Sequence, residues 1–353
     1  MFFRVLSLPE VLKTGLGFPP DTVLASMKKF NYIKPQTLQE ALHLLNQQDQ
    51  KAKLVAGGTD VMVMIKKGEM SPEVLISLRG VPRLDQIQCE DGVLRIGPMT
   101  THRTVEKSER IRREFSALAD AVDVLGSVQI RNVGTIAGNI CTAAPSADTA
   151  PPLLVLGARI NVLSLKGDRT IPLEEFFKGP GETMLQEGEI LTEVIIPNPF
   201  PNTGSAYWKH KRRGALDLPM LGVSVLLSLN TNRISCGDMI RARSPVSSIL
   251  RALEKDELTC KEVRIALGVA APTPMRAQKA EKLLRGQKIT EALMDRVAET
   301  AAAEAQPRDS IRGEAWYRRD MIKVFVKRMA VTCIERIVEP GGKGFALEQG
   351  KMI

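Results

Sequence analysis

The sequence predicts an α+β protein of two domains. Stretches with helical spacing of apolar residues and short strand-like runs both occur along the 353 residues, and a chain of this length can bury two sizeable cores. The segment Pro197-Asn198-Pro199-Phe200-Pro201-Asn202 places three prolines within five residues, which sustains neither a helix nor a sheet ladder. We therefore place a domain boundary just beyond it and predict domains at 29–203 and 204–338.

The first predicted domain begins with a helix. Thr37-Leu38-Gln39-Glu40 is a capping box, and apolar residues at helical spacing continue the helix to about Gln47. A second helical stretch covers about Ile111 to Leu125 and ends near Gly126. Short apolar runs predict strands at 52–56, 74–78, 93–97, 159–165 and 190–196.

The second predicted domain opens with a strand at 222–229, and another strand follows at 263–269. Pro274 is suited to the first turn of a helix over 275–285, which Gly286 ends. Further helices are predicted at 290–305 and 319–338. Residues 339–353, with the pair Gly341-Gly342, are interpreted as a frayed tail.

The composition is typical of a globular protein, with 44% hydrophobic and 25% charged residues. No stretch reaches the roughly 18 uncharged apolar residues that a membrane span requires. The first ten residues contain too short an apolar run for a signal peptide and lack a basic segment before it. These observations predict a cytoplasmic protein without a membrane span.

Cysteine and histidine are too scattered for a metal centre. The five cysteines are odd in number and far apart, which argues against a disulfide framework and against iron–sulfur ligation, since clusters need grouped thiolates. No two of the three histidines share the spacing of zinc ligands. We therefore expect no metal site on this chain.

A net charge of +9 and the run Lys209-His210-Lys211-Arg212-Arg213 raise the hypothesis of nucleic-acid binding. Charges of both signs are scattered along the chain, however, and only 4% of residues are aromatic. Such a run usually forms a solvated face, so we expect no nucleic-acid partner.

Two short glycine segments carry the main functional signal. Ala56-Gly57-Gly58-Thr59-Asp60 follows an apolar run, and Thr135-Ile136-Ala137-Gly138-Asn139 is followed nine residues later by Asp148. Segments with so little side-chain bulk leave backbone N–H groups open to an anion, and two of them together suit a diphosphate. An ordinary tight turn is the alternative for either segment taken alone.

Longer strings around these segments resemble one family. They include Leu54 to Asp60, the run Gln129 to Ile140, Ala271-Pro272-Thr273-Pro274 and Tyr317-Arg318-Arg319. The chain is similar to the FAD-binding medium subunit of molybdenum hydroxylases, the group that includes carbon monoxide dehydrogenase and xanthine dehydrogenase. The resemblance covers about Lys29 to Ile337, so residues 1–28 look like an amino-terminal extension, and residues at about 235–260 look like an insertion.

The resemblance implies a fold and a cofactor. The fold is a two-subdomain FAD-binding domain of the vanillyl-alcohol-oxidase-like type, followed by a smaller α+β carboxy-terminal domain with an antiparallel sheet and helices. The FAD diphosphate would lie against both glycine segments. Ala137 stands where the family usually has a glycine, and we expect this methyl group to leave binding intact. The residues implied here are Leu54, Val55, Ala56, Gly57, Gly58, Thr59, Asp60, Thr135, Ile136, Ala137, Gly138 and Asn139.

Four more positions are implied around the flavin. Asp148 would accept a hydrogen bond from a sugar hydroxyl, Leu125 and Leu191 would lie against the isoalloxazine ring, and Lys209 would lie near the flavin. The alternatives are a turn cap for Asp148, ordinary core positions for the two leucines, and an exposed basic run for Lys209. None of these residues breaks a substrate bond, so no catalytic side chain is predicted and the chemistry belongs to the cofactor.

The implied function is electron transfer within a multi-subunit molybdenum hydroxylase. A large subunit would hold the molybdenum cofactor, a small subunit would hold [2Fe-2S] clusters, and FAD on this chain would pass electrons to NAD⁺, a quinone or oxygen. No GxGxxG or Walker A string occurs, so NAD would bind over the flavin. A free-standing FAD-dependent reductase or oxidase is the main alternative, and a basic scaffold or nucleic-acid-binding protein is a third.

Overall fold

The computed structural model describes residues 28–47, 51–214, 216–231, 233–234 and 244–339. The predicted extension at 1–28, apart from its last residue, the tail from 340 onward, and residues 235–243 of the predicted insertion lie outside the described residues. The described part is a mixed α+β structure built on three main sheets.

A small parallel sheet comes first in the chain. It contains β1 (Asn31–Ile33), β2 (Ala52–Val55) and β3 (Val74–Ser77), in the order β1-β3-β2. Helix α1 (Leu38–Gln47) connects β1 to β2, and α2 (Val61–Lys66) connects β2 to β3. A short 3-10 helix at Leu78–Gly80 ends this unit.

The second sheet is antiparallel, in the order β4-β5-β10-β6-β7. Its strands are β4 (Ile87–Glu90), β5 (Val93–Ile96), β6 (Arg159–Ser164), β7 (Gly167–Pro172) and β10 (Ile190–Ile196), and β8 (Phe177–Gly179) pairs with β9 (Glu182–Thr183) alongside. Seven short helices accompany it in this part of the described chain: α3 (His102–Lys107), α4 (Glu109–Glu114), α5 (Ser116–Val124), α6 (Val128–Val133), α7 (Ile136–Cys141), α8 (Ala150–Val155) and α9 (Leu173–Phe176).

The third sheet is also antiparallel and follows the proline-rich linker. Its strands run in chain order: β11 (Thr203–His210), β12 (Leu221–Leu229), β13 (Cys260–Gly268) and β14 (Met275–Arg276). The helices that cover it are α10 (Val246–Glu254), α11 (Gln278–Leu284), α12 (Glu291–Glu304) and α13 (Ala315–Val338).

Strand β12 is buried along its whole length. Val223, Val225 and Leu227 point into the core under the carboxy-terminal helices, whereas Leu226 packs with the core of the second sheet. Ala266 of β13 also joins that second core. Strand β12 is therefore packed on both faces, in agreement with its largely apolar sequence.

A buried ion pair ties α13 to the first half of the chain. Arg336 donates from both terminal nitrogens to the two oxygens of Asp120 in α5, at 2.7 and 2.8 Å. Asp120 also accepts the backbone N–H of Tyr207 in β11 at 3.0 Å. Because both charged groups are buried, removing either partner would leave an uncompensated charge in the interior.

Several predicted elements need correction. The single helix over 111–125 is two helices, because Phe115 is fully buried with φ −127° and ψ 48° and breaks the helical path. The helix over 275–285 starts only at Gln278, since Met275–Arg276 pair with β13. Strand β11 precedes the predicted opening strand of the second domain and was not predicted.

The Thr37 cap at the start of α1 is confirmed, although the return bond of Glu40 reaches Gln36 and not Thr37 as in a standard capping box. Thr37 Oγ1 accepts the backbone N–H of Glu40 at 3.1 Å, and the Glu40 carboxylate reaches back to the backbone N–H of Gln36 at 2.7 Å. We expect Thr37→Ala to lower the free energy of unfolding by about 1 kcal/mol, because one cap bond is lost. Thr37→Ser, which keeps the hydroxyl, is the matched control in a urea titration; equal losses in both variants would contradict the capping role.

Candidate functional site

The first glycine segment connects β2 to α2. Gly58 has φ +81°, a conformation that a side chain would strain. Asp60 occupies the position before the first residue of α2, and its carboxylate accepts the Thr59 hydroxyl at 3.1 Å. The segment therefore brings the chain into the amino-terminal end of a helix, where backbone N–H groups favour an anion.

The second glycine segment is the start of a helix and not an open loop, contrary to the prediction. Thr135 caps α7, and its Oγ1 accepts the backbone N–H of Gly138 at 3.0 Å. Ile136 to Asn139 thus form the first turn of α7. A helix start tolerates Ala137 in place of glycine because no positive φ is needed there.

The two segments lie directly against each other. A Cβ placed on Gly57 would come within 2.2 Å of the carbonyl oxygen of Val133 and 2.9 Å of the Cα of Gly134. Only a glycine allows this approach of one backbone to the other. The first segment therefore packs on the two residues before Thr135, and the starts of α2 and α7 lie on the same part of the molecule.

His102 lies beneath this junction. Its backbone N–H donates to Gly134 O at 2.9 Å, its side chain is buried, and Nδ1 has no hydrogen-bond partner among the described residues. Burial, assisted by the Arg131 charge, lowers the pKa of His102 from 6.5 to about 4. The ring is therefore neutral at physiological pH.

The shift of His102 predicts a dependence of stability on pH. The folded state resists protonation of His102, so its contribution is complete above pH 6.5 and is lost as the pH falls towards 4. We expect the free energy of unfolding to fall by up to about 1.4 kcal/mol per pH unit in this range. Denaturant titrations from pH 7 to 4 measure this effect. The free energy of unfolding of His102→Gln should lack the fall that His102 causes. If the free energies of unfolding of the two proteins change with pH in parallel, His102 is not the cause of the pH dependence.

Asp148 and Lys209 form a buried ion pair, although 61 positions separate them. Lys209 Nζ lies 2.7 Å from one carboxylate oxygen of Asp148, and the Tyr207 hydroxyl donates to the other oxygen at 2.9 Å. Lys209 Nζ also lies 3.3 Å from Val124 O. Lys209 is only 2% exposed, so it does not belong to an exposed basic run, and Asp148 is an ion-pair partner and not a turn cap.

The electrostatics of this group depend on the ion pair. Burial raises the pKa of the Asp148 carboxyl, and the Lys209 ammonium and the Tyr207 hydroxyl oppose that shift. Burial and the neighbouring carboxylate both raise the pKa of Tyr207, so its hydroxyl stays protonated and donates. The three side chains form a buried, hydrogen-bonded polar group whose charges cancel.

The two predicted ring-facing leucines are both buried. Leu191 belongs to β10 and packs in the core of the second sheet. Leu125 ends α5, and its carbonyl oxygen accepts the Arg131 guanidinium at 2.9 Å. Arg131 Nε also donates to the Glu106 carboxylate in α3 at 2.9 Å. Arg131 therefore connects the turn at Gly126 to α3. The placement of either leucine against a flavin ring stays a prediction.

The other predicted residues surround the glycine segments. Leu54 and Val55 end β2, with Ala56 directly after them, and the Asn139 side-chain oxygen accepts the Thr149 hydroxyl at 2.6 Å. A cleft of about 420 Å³ lies elsewhere, where the proline-rich linker meets the end of α13, and none of the predicted site residues lines it.

Sequence reasoning missed three residues of this region: Tyr207, Arg131 and Arg79, which donates to Gly57 O at 3.3 Å. A signal existed only for Tyr207. It precedes Lys209 by two residues, so once a strand is assigned there the two side chains share a face. Arg131 and Arg79 act through contacts that no local pattern indicates.

Two negative observations apply to the described part of the chain. Within it, no group of three His, Cys, Asp or Glu side chains could hold a metal ion. None of its helices has the length and apolar character needed to cross a membrane.

Two family models match the sequence. The FAD binding domain in molybdopterin dehydrogenase matches residues 28–199, and the CO dehydrogenase flavoprotein C-terminal domain matches residues 246–332. The second match includes α10, although part of that segment was interpreted as an insertion. The α10 side chains Ile249, Leu250 and Leu253 are buried in the third-sheet core.

Related chains match this one over nearly their whole length. The xanthine dehydrogenase FAD-binding subunit of Escherichia coli O157:H7 is 31% identical over 315 residues, which cover 89% of this chain and 98% of the relative. The carbon monoxide dehydrogenase medium chain of Hydrogenophaga pseudoflava is 30% identical over 300 residues, covering 85% and 95%.

Solved structures of similar chains have the same fold. A chain of carbon monoxide dehydrogenase from Hydrogenophaga pseudoflava superposes with a TM-score of 0.75 at 32% identity, over 86% of this chain and 96% of that chain. A chain of quinoline 2-oxidoreductase from Pseudomonas putida 86 superposes with a TM-score of 0.76 at 25% identity, over 88% and 99%.

Proposed function

The chain belongs to the family of FAD-binding medium subunits of molybdenum hydroxylases, and from this premise we propose how it works in its complex. FAD exchanges electrons singly or in pairs, which lets it connect iron–sulfur clusters to a two-electron acceptor. We assign the clusters to a small partner chain and the molybdenum cofactor to a large one. FAD bound to this chain would pass the electrons on to NAD⁺, a quinone or oxygen.

The contact between the two glycine segments is the observation that carries the cofactor assignment. Gly57 packs on the backbone of Val133 and Gly134, which brings the starts of α2 and α7 together. We propose that the diphosphate binds there, held by backbone N–H groups and by the positive ends of both helices. Thr59 and Arg79 lie at the same place and would add polar contacts from the solvent side.

The Asp148–Lys209–Tyr207 group is proposed to line the sugar and flavin end of the site. The Asp148 oxygens already accept Lys209 and Tyr207, and each carboxylate oxygen can accept a second donor such as a ribose hydroxyl. Lys209 is thereby held as a fixed cation next to Asp148. A positive charge near the flavin would favour its reduced, anionic form.

We also propose that the complex works in the cytoplasm. The described cysteines Cys89, Cys141, Cys260 and Cys333 are free thiols, which suits a reducing compartment. The substrate that the complex oxidises would bind to the large partner chain. The identity of this substrate must therefore be inferred from the binding pocket of the large chain.

Purification from the native host tests the proposal. We expect the chain to co-elute with molybdenum- and iron-containing chains and to carry about one FAD per polypeptide. Substrate added without oxygen should bleach the flavin absorbance of the complex, and NAD⁺, a quinone or oxygen added afterwards should restore it and identify the acceptor. A yellow monomer that turns over a substrate alone would overturn the proposal in favour of a free-standing enzyme.

A further inference from the structure

Four large apolar side chains are exposed at one end of the third sheet. Leu216 and Leu218 follow β11, and Ile311 and Trp316 lie before and at the start of α13; their exposed fractions are 62%, 47%, 91% and 60%. We call these four residues the apolar patch. Such an apolar cluster usually marks an interaction site.

The two loops that carry the patch are joined to each other. Arg212 Nη1 donates to the carbonyl oxygen of Ile311 at 3.2 Å, and a Cβ on Gly313 would lie 3.5 Å from the sulfur of Met220. His210 Nε2 and the Tyr317 hydroxyl form a hydrogen bond of 3.0 Å below them. The two loops that carry the four apolar side chains therefore lie side by side.

The patch is presented by a rigid backbone. The buried Arg318 donates to Arg308 O and to Ser310 Oγ, so it holds the loop that ends at Ile311 from below. Asp309 accepts the backbone N–H of Ala315 at 2.7 Å. Leu216 keeps a positive φ of +53°, which is costly for a leucine and places an apolar side chain in solvent. The local structure thus holds apolar groups outward at a cost in stability.

The rim of the patch is basic. Arg212, Arg213, Arg308, Arg312 and Arg319 are all exposed. Three acidic side chains lie in the same loops: Asp217 accepts the backbone N–H groups of Arg212 and Arg213, Asp309 accepts that of Ala315, and the exposed Glu314 accepts the indole N–H of Trp316. The five arginines outnumber them. A partner that covers this surface would need an apolar socket with an acidic rim.

We propose that the apolar patch is the docking surface for the iron–sulfur chain of the complex, and that this chain presents an acidic rim around an apolar socket. The inference rests on the proposed function. The loop with Leu216 and Leu218 leaves β11 after Lys209 and His210, so the patch is carried by the end of β11 that also holds Lys209, which we propose to lie near the flavin. Because electron transfer requires a short distance, the cluster-bearing chain is the partner that has to dock here.

The test measures the affinity between the FAD-loaded full chain and the iron–sulfur chain that co-purifies with it. We expect Ile311→Asp to weaken binding by about tenfold or more, since the most exposed apolar side chain of the patch is replaced by a charge. Arg312→Glu should weaken binding as well and reduce its dependence on salt. Leu165→Asp is the matched control, because Leu165 is 51% exposed on the turn between β6 and β7, and it should bind like the wild type.

The outcomes separate this inference from the proposed function. Retained FAD in Ile311→Asp shows that the variant is folded. If that variant binds the iron–sulfur chain as tightly as the wild type, or loses only the molybdenum chain, the docking surface is wrong and the proposed function stands. If the wild-type chain itself binds no iron–sulfur chain, both are overturned.

Discussion

Gly57→Ala is expected to abolish FAD binding while leaving the chain folded. The new methyl group would lie 2.2 Å from Val133 O and 2.9 Å from Gly134 Cα, and both are backbone atoms that cannot rotate away. The first glycine segment must therefore move off the second, which separates the starts of α2 and α7. We expect at least about a hundredfold loss of affinity, or ~2.8 kcal/mol, measured by titrating apo-protein with FAD.

Gly214→Ala is the matched control. A methyl group on Gly214 would meet no described atom within 4 Å, and the φ of Gly214 is not positive, so this variant should bind FAD normally. Thermal melting adds a second measurement, since FAD at a thousand times its dissociation constant adds about 4 kcal/mol of stability. FAD should raise the melting temperature of the control and not that of Gly57→Ala. A Gly57→Ala protein with full flavin absorbance would show that the diphosphate binds elsewhere.

Lys209→Met is expected to destabilise the folded chain by about 3–5 kcal/mol, because the Asp148 carboxylate would remain buried without its cation. The loss should depend on pH. Without Lys209 the main charge that opposes the effect of burial is lost, so the pKa of Asp148 rises further, and only the weaker effect of the Lys211 charge remains. The folded variant then gains stability as the pH falls and Asp148 takes up a proton. The gap between wild type and variant should narrow towards low pH in urea titrations.

A double variant distinguishes this explanation from a simple loss of packing. Asp148→Asn combined with Lys209→Met removes both charges, and we expect it to be more stable than Lys209→Met alone at neutral pH. Its stability should not show the additional rise at low pH. If the double variant is less stable than either single variant, the ion pair does not determine the stability of the buried Asp148–Lys209–Tyr207 group.

Local signals predicted some elements closely. The capping box of Thr37 and Glu40 gave the bounds of α1, and the apolar run at 190–196 coincides with β10. The break at Phe115 was missed because its cause is tertiary: the ring is buried, and the apolar spacing continues on both sides of it. Helix propensity and apolar spacing do not show that the core will bury the Phe115 ring and interrupt the helix there.

In the candidate site, too, the features with a local cause were predicted and those with a tertiary cause were not. The glycine segments were found from the sequence because their lack of bulk is local. Lys209 was ambiguous, since its charged neighbours suggested an exposed run and β11 lacks the polar alternation of a half-exposed strand. Its partner Asp148 is distant in sequence. The contact of Gly57 with Val133 joins two segments of the chain that only the fold brings together.

The burial of β12 on both faces has a consequence for the whole polypeptide. Leu226 and Ala266 fill the core of the preceding sheet, and Arg336 neutralises Asp120 across the same boundary. The proline-rich linker therefore separates two halves in sequence, but neither half keeps its interior when it is detached. We expect a single cooperative melting transition for the intact chain, and expression of 29–203 alone should yield aggregated material.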